Sequence, residues 1–118
     1  MIYPLYWYHN IRTGQMHQLI ASKQKEIATI CRRHSVERLE LFGSAARGTD
    51  FDPLRSDIDF LVEYEPPLLP RLLERRMQLQ DDLQEVMNRK VDLVRKGTIG
   101  NPYLQETIDE DREVVFEE

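Results

Sequence analysis

Three aspartates carry the chemistry that this sequence offers. Asp57 and Asp59 stand two apart in SDIDF, and Asp92 sits between Val91 and Leu93 in VDLV. Strand residues two apart share a face, so Asp57 and Asp59 would project together while Ile58 and Phe60 turn to the core. Carboxylates held a few ångströms apart repel, and one takes up a proton unless a cation intervenes. An all-oxygen set suits a hard ion such as Mg²⁺, or Mn²⁺ in its place, with water and phosphate completing the shell. If the VDLV strand neighbours the SDIDF strand, Asp92 joins the same face. Three carboxylates permit two metal ions, the arrangement that clamps attacking and leaving oxygens during displacement at phosphorus. The plainer alternative stays open at this point: a solvent-facing strand that happens to carry two aspartates, and a strand-edge Asp92.

A second group lies upstream. Gly43 and Ser44 follow a strand directly, with Ala45, Ala46, Arg47 and Gly48 next. A glycine lets backbone approach a ligand closely, and a turn that opens a helix presents amide hydrogens to an anion. Ser44 adds a hydroxyl donor and Arg47 a cation. By itself a Gly-Ser pair is usually just a turn. Together with the aspartates it matches a nucleotide, with amides for the outer phosphates and metals for the α-phosphate.

The elements that must position these groups follow from periodicity. Met16, Leu19, Ile20, Ile27, Ile30 and Cys31 recur at helical spacing and predict a helix from Met16 to His34. Val36–Phe42 and Ser56–Tyr64 alternate as half-buried strands, the second with Ile58, Phe60, Val62 and Tyr64 on one side and the Pro66-Pro67 pair beyond its end. Leu68–Asn88 reads as a second helix with Leu69, Leu72, Leu79, Leu83 and Val86 on its inner face. Val91–Val94 predicts a short strand, Pro102 opens a helix to about Asp109, and Val114–Phe116 could add a last strand. The order predicts a small α/β (α+β) domain over residues 16–118, a mixed sheet flanked by helices. Residues 1–15 lack this periodicity and are expected to be an extension dispensable for catalysis.

Composition excludes several classes. The 118 residues fit one domain with one core. The single cysteine, Cys31, rules out an internal disulfide and fits a reducing cytoplasm. No apolar run approaches the ~20 residues needed to span a bilayer. The net charge of -5 is concentrated in residues 101–118, which hold seven acidic side chains and one basic, Arg112. With no basic run, duplex nucleic-acid binding is not expected, and the acidic tail reads as solvated surface. His9, His17 and His34 fall outside the motif and read as surface or helix-end residues; Tyr64 and Tyr103 read as packing residues before self-modification sites.

GSAARGTDFDPLRSDIDF resembles the signature of the nucleotidyltransferase superfamily that shares the DNA polymerase β palm-like core. It is most similar to the short bacterial and archaeal MNT-type members. The pattern falls on Gly43, Ser44, Asp57, Asp59 and Asp92, and the resemblance extends from about Met16 through VDLV and NPYLQETI. Twelve residues separate Ser44 from Asp57, a longer loop than is common in the family, with the extra length expected around Phe51–Leu54. The resemblance implies ATP as donor with two Mg²⁺ ions. Asp57 and Asp59 would hold both ions and Asp92 the ion at the acceptor oxygen. Gly43 and Ser44 would cradle the outer phosphates, with Arg47 assisting. It also implies a partner, a helical HEPN-domain RNase toxin, which an MNT-type antitoxin adenylylates on tyrosine or masks. Two alternatives remain: a small-molecule, antibiotic-type transferase working with a partner subunit, and a non-catalytic blocking module. Three retained aspartates weigh against the second.

Overall fold

The computed structural model describes residues 18–47, 51–52, 55–98 and 100–118. The proposed extension of residues 1–15, the Met16 helix start, His9 and His17 lie outside the described residues. The elements run α1 (Gln18–Ala21), α2 (Gln24–Arg33), β1 (Val36–Phe42), α3 (Ser44–Arg47), β2 (Ile58–Tyr64), α4 (Leu72–Met87), β3 (Val91–Arg95), α5 (Pro102–Asp111) and β4 (Glu113–Glu117).

The strands form one mixed sheet in the order β3-β2-β1-β4. β1 pairs antiparallel with both β2 and β4, whereas β2 and β3 run parallel. The parallel pair needs a crossover, and α4 supplies it. One sheet face carries Leu39, Leu41, Ile58, Phe60, Val62, Val91 and Leu93, which pack with Ile27, Ile30, Leu79 and Leu83 of α2 and α4. Burial of each such side chain contributes about 1.5–3 kcal/mol. Strand alternation sends Phe42, Leu61 and Val94 to the other face, where Ile108 of α5 covers them. Among the described residues no helix is long and apolar enough to cross a membrane.

Three boundaries differ most from the sequence expectations. The first helix is broken at Ser22 and Lys23: Lys23 N–H bonds to Ile20 O at 3.0 Å, a tighter turn, and Ser22 Oγ donates to Leu19 O at 2.9 Å. A serine hydroxyl that bonds back to its own turn competes with helix continuation. The second helix starts at Leu72 rather than Leu68, because Pro70 disfavours the helical conformation at Leu69 and Arg71 adopts φ 61°. Leu69, expected on the inner face, is consequently 48% exposed. Its far end stops at Asn88, whose φ of 53° is the left-handed cap that asparagine tolerates. Strand pairing in β2 begins at Ile58, so Asp57 stands just ahead of the strand.

The acidic tail is more than solvated surface. It completes α5, whose Asn101 cap accepts the Tyr103 and Leu104 N–H groups, and then forms β4, which buries Val115 and Phe116. Its acids are tied back to the body through Glu117 with Arg38 and Asp111 with Arg47.

Candidate active site

The parallel register of β2 and β3 sets Asp59 directly beside Asp92. Both residues alternate with core-facing neighbours, so their carboxylates emerge on the face that α5 partly covers. The Asp59 carboxyl is raised from 3.8 to about 6. Burial is the largest cause, followed by the charge of Asp92, a hydrogen bond shared with Asp92, and the charge of Asp57, while Arg47 acts in the opposite direction. Crowded carboxylates of this kind hold a proton in place of a cation.

Gly43 completes the closest packing at this site. Its φ is +75°, and a Cβ built on it would lie 2.5 Å from Asp59 Oδ2. The strand end therefore requires glycine twice, for the backbone conformation and for the space that the carboxylate fills. The Gly43 carbonyl accepts the N–H groups of Ala46 and Arg47 at 3.1 and 3.2 Å, closing the turn that carries Ser44 into α3. Ala45 and Ala46 are buried and seat that turn on the core.

Asp57 stands just ahead of β2, and its charge is among those that raise the Asp59 carboxyl. The Asp57 carboxylate faces Lys90, whose Nζ lies 3.5 Å from Asp57 Oδ2 and 3.8 Å from Asp92 Oδ1. Among the described residues no group of three or more His, Cys, Asp or Glu is gathered as a ready metal cage. Mg²⁺ is commonly held by only one or two carboxylates, with water and substrate phosphate supplying the remainder. The adjacent Asp59 and Asp92, crowded enough to share a proton, fit that demand, with Asp57 a short distance away across Lys90.

Arg47, expected at the phosphates, pairs its guanidinium with Asp111 of α5 and stays near enough to Asp59 to oppose its protonation. The long connection between Ser44 and Asp57 is anchored where the sequence indicated only extra length. Phe51 is buried in the main core, with the Arg89 guanidinium 5.3 Å from its ring centroid. The turn that follows is closed by Ser56 N–H on Asp52 O at 2.8 Å and by Asp52 N–H on Ser56 Oγ at 2.9 Å. Sequence reasoning missed Phe51, Lys90 and Asp111. An aromatic residue inside a polar loop was a usable signal for the first, and a lysine two before Asp92 for the second.

The remaining candidates lie apart from the carboxylates. His34 caps α2 and bonds Asp82 at 2.6 Å, a helix-end role as expected. Tyr64 packs in the core beneath Arg75, whereas Tyr103, also expected to pack, is 80% exposed. Burial pushes the Cys31 thiol up to about 12, which makes it an inert core residue.

Comparisons with known proteins identify the family. The nucleotidyltransferase domain family matches residues 24–115. A relative from Methanocaldococcus jannaschii, named provisionally as a protein adenylyltransferase, is 41% identical over 93 residues, spanning 78% of this chain and 87% of its own. A solved structure described as a minimal nucleotidyltransferase superposes with a TM-score of 0.61 at 28% identity, covering 77% of this chain and 87% of that one. A chain from the complex of tri-AMPylated Shewanella oneidensis HEPN toxin with MNT antitoxin shares the fold, at a TM-score of 0.58 and 19% identity over 84% of this chain and 73% of that one. The chain belongs to the nucleotidyltransferase domain family, as a minimal, MNT-type member.

Proposed function

We propose that this nucleotidyltransferase transfers AMP from ATP to a tyrosine hydroxyl of a HEPN-type RNase toxin, and so acts as the antitoxin of a toxin–antitoxin pair. The observation that carries the reading is the pairing of Asp59 with Asp92 beside the Gly43-Ser44 turn. It puts an acidic, cation-seeking pair next to a backbone segment that a phosphate chain can approach closely. The name of the archaeal relative supports a protein acceptor, and the AMPylated toxin complex supports both the transferred group and the partner.

In the reaction, the acceptor hydroxyl gives up its proton to solvent as its oxygen bonds to the α-phosphorus of ATP, the bond to the bridging oxygen breaks, and pyrophosphate leaves. Asp57, Asp59 and Asp92 would hold Mg²⁺. The metal, when bound, supplies Lewis-acid neutralisation of phosphate charge and a lowered proton affinity at the acceptor hydroxyl. The chain's own contribution is positioning. The core beneath Ile58 and Phe60 fixes the aspartates, and the Gly43-Ser44 turn receives the outer phosphates. Arg47 orients α5 through Asp111 and adds positive potential near Asp59. Such pre-set groups act without reorganising during the reaction.

Incubating this protein with ATP, Mg²⁺ and its helical partner, then weighing the intact partner, tests the reading. The wild type should add the mass of one or more AMP groups, and protection against the toxin should persist after the enzyme is removed. No mass gain, with full protection by Asp59→Ala, would overturn the enzymatic antitoxin and leave a blocking module.

A further inference from the structure

Lys90 stands between two of the carboxylates read as metal ligands. Its backbone is clamped: the Lys90 carbonyl accepts Ile58 N–H at 3.1 Å, and the next residue, Val91, accepts from Gln80 Nε2 at 2.7 Å and donates to Gln84 Oε1 at 3.2 Å. From that fixed base the ammonium bridges Asp57 and Asp92, at 3.5 and 3.8 Å. The side chain is 65% exposed, and the two carboxylates are 41% and 47% exposed. Ion pairs this open contribute little to stability, so the bridge can exchange readily. Its effect is on whatever other cation seeks the same oxygens.

We propose that Lys90 is a positioning residue that acts as a placeholder cation. Its ammonium occupies the space between Asp57 and Asp92, opposes entry of a bare divalent ion, and yields when the ion arrives with a nucleotide's phosphates. This rests on the reading of the aspartates as metal ligands. A bare ion meets one positive charge at contact range, whereas a metal–nucleotide complex brings negative charge that both compensates the ion and gives the displaced ammonium a new partner. The site would then load metal and nucleotide together rather than metal first. The geometry agrees with it, since a single ammonium lies within ion-pair range of both Asp57 and Asp92.

The test is a titration of the full chain with Mn²⁺, read as free ion by electron paramagnetic resonance. Lys90→Met should bind bare Mn²⁺ about tenfold more tightly than wild type, and Lys90→Arg should stay close to wild type. The gain in Lys90→Met should shrink when ATP is present. A second readout uses the wild type alone: pulse acylation of amines, mapped by mass spectrometry, should label Lys90 faster once Mn²⁺ saturates the site. Unchanged or weaker Mn²⁺ binding by Lys90→Met, or Lys90 labelling indifferent to Mn²⁺, overturns the placeholder role. Asp59→Ala separates the two readings. If it abolishes Mn²⁺ binding while Lys90→Met changes nothing, the aspartates remain ligands and only the role of Lys90 falls. If neither wild type nor Lys90→Met binds Mn²⁺, both readings fall.

Discussion

The Cβ that Gly43 lacks would stand 2.5 Å from Oδ2 of Asp59, so the turn and the carboxylate occupy complementary halves of one small space. Gly43→Ala must therefore displace the Asp59 side chain and hold a positive φ at the same time. Transfer activity should fall by about a hundredfold or more, the scale of a roughly 1 Å misplacement. Stability should fall by about 1–2 kcal/mol from the backbone conformation. Urea unfolding beside an AMP-transfer assay checks both, and near-normal transfer by this variant would exclude close packing as the reason for glycine.

Asp59 gives the metal-free protein a pH dependence of definite sign. Its carboxyl is raised from 3.8 to about 6 in the fold, so the folded state holds the proton more tightly than the unfolded chain. That contribution is fully present below about pH 4 and is lost as pH rises through about 6. Because the group is partly exposed, its size is about 1–2 kcal/mol after allowance for solvent screening. In EDTA, the stability of wild type minus that of Asp59→Asn should decline by that amount between about pH 4 and pH 8. A difference independent of pH would contradict the raised carboxyl.

Metal should act on the same group in the opposite direction. Titrating Mg²⁺ or Mn²⁺ with ATP should raise the wild-type Tm, because a ligand that binds only the folded state stabilises it. The rise should be larger above about pH 6, where the carboxyl has released its proton. Asp59→Asn should show no such rise, yet its metal-free Tm at neutral pH should exceed wild type by a few degrees, roughly the effect of 1 kcal/mol. Differential scanning fluorimetry at two pH values distinguishes these outcomes. Metal-induced stabilisation that survives Asp59→Asn would remove Asp59 from the ligand set.

Phe51→Ala tests whether the loop is anchored. The ring is only 9% exposed and packs in the main core, so its loss should destabilise the protein by about 3 kcal/mol or more. Because Phe51 holds the chain leading to Asp57, KM for the metal–nucleotide complex should rise as well. Phe51→Leu should recover much of both. Equal stability of the alanine variant and wild type would show that the loop is held elsewhere.

The sequence disclosed what depends on local alternation. β1 was legible to the residue, since VERLELF alternates and glycine follows it. The Asp59–Asp92 pairing was legible too, once the second strand was allowed to neighbour the first. Hidden were features set by contacts distant in sequence or by side-chain chemistry at an element's end. The helix-like pattern around Leu69 gave no weight to Pro70, and the apolar stripe from Leu19 to Ile27 passed over Ser22. Lys90 was passed over because its meaning depends on Asp57, which only the strand register brings near. The pairing of Arg47 with Asp111 was hidden as well, because Asp111 lies at the far end of another helix.

Phe51, seated in the core just ahead of the Asp52–Ser56 turn, divides the stretch between Ser44 and Asp57 into two parts with different tolerance for change. Residues added ahead of Phe51 leave the chain that leads from it to Asp57 unchanged in length, and doubling a loop's length costs only about 0.6 kcal/mol. Residues added after Phe51 would shift the approach to β2 itself. Drift in the spacing of the motif among relatives is therefore cheap on one side of the anchor and expensive on the other.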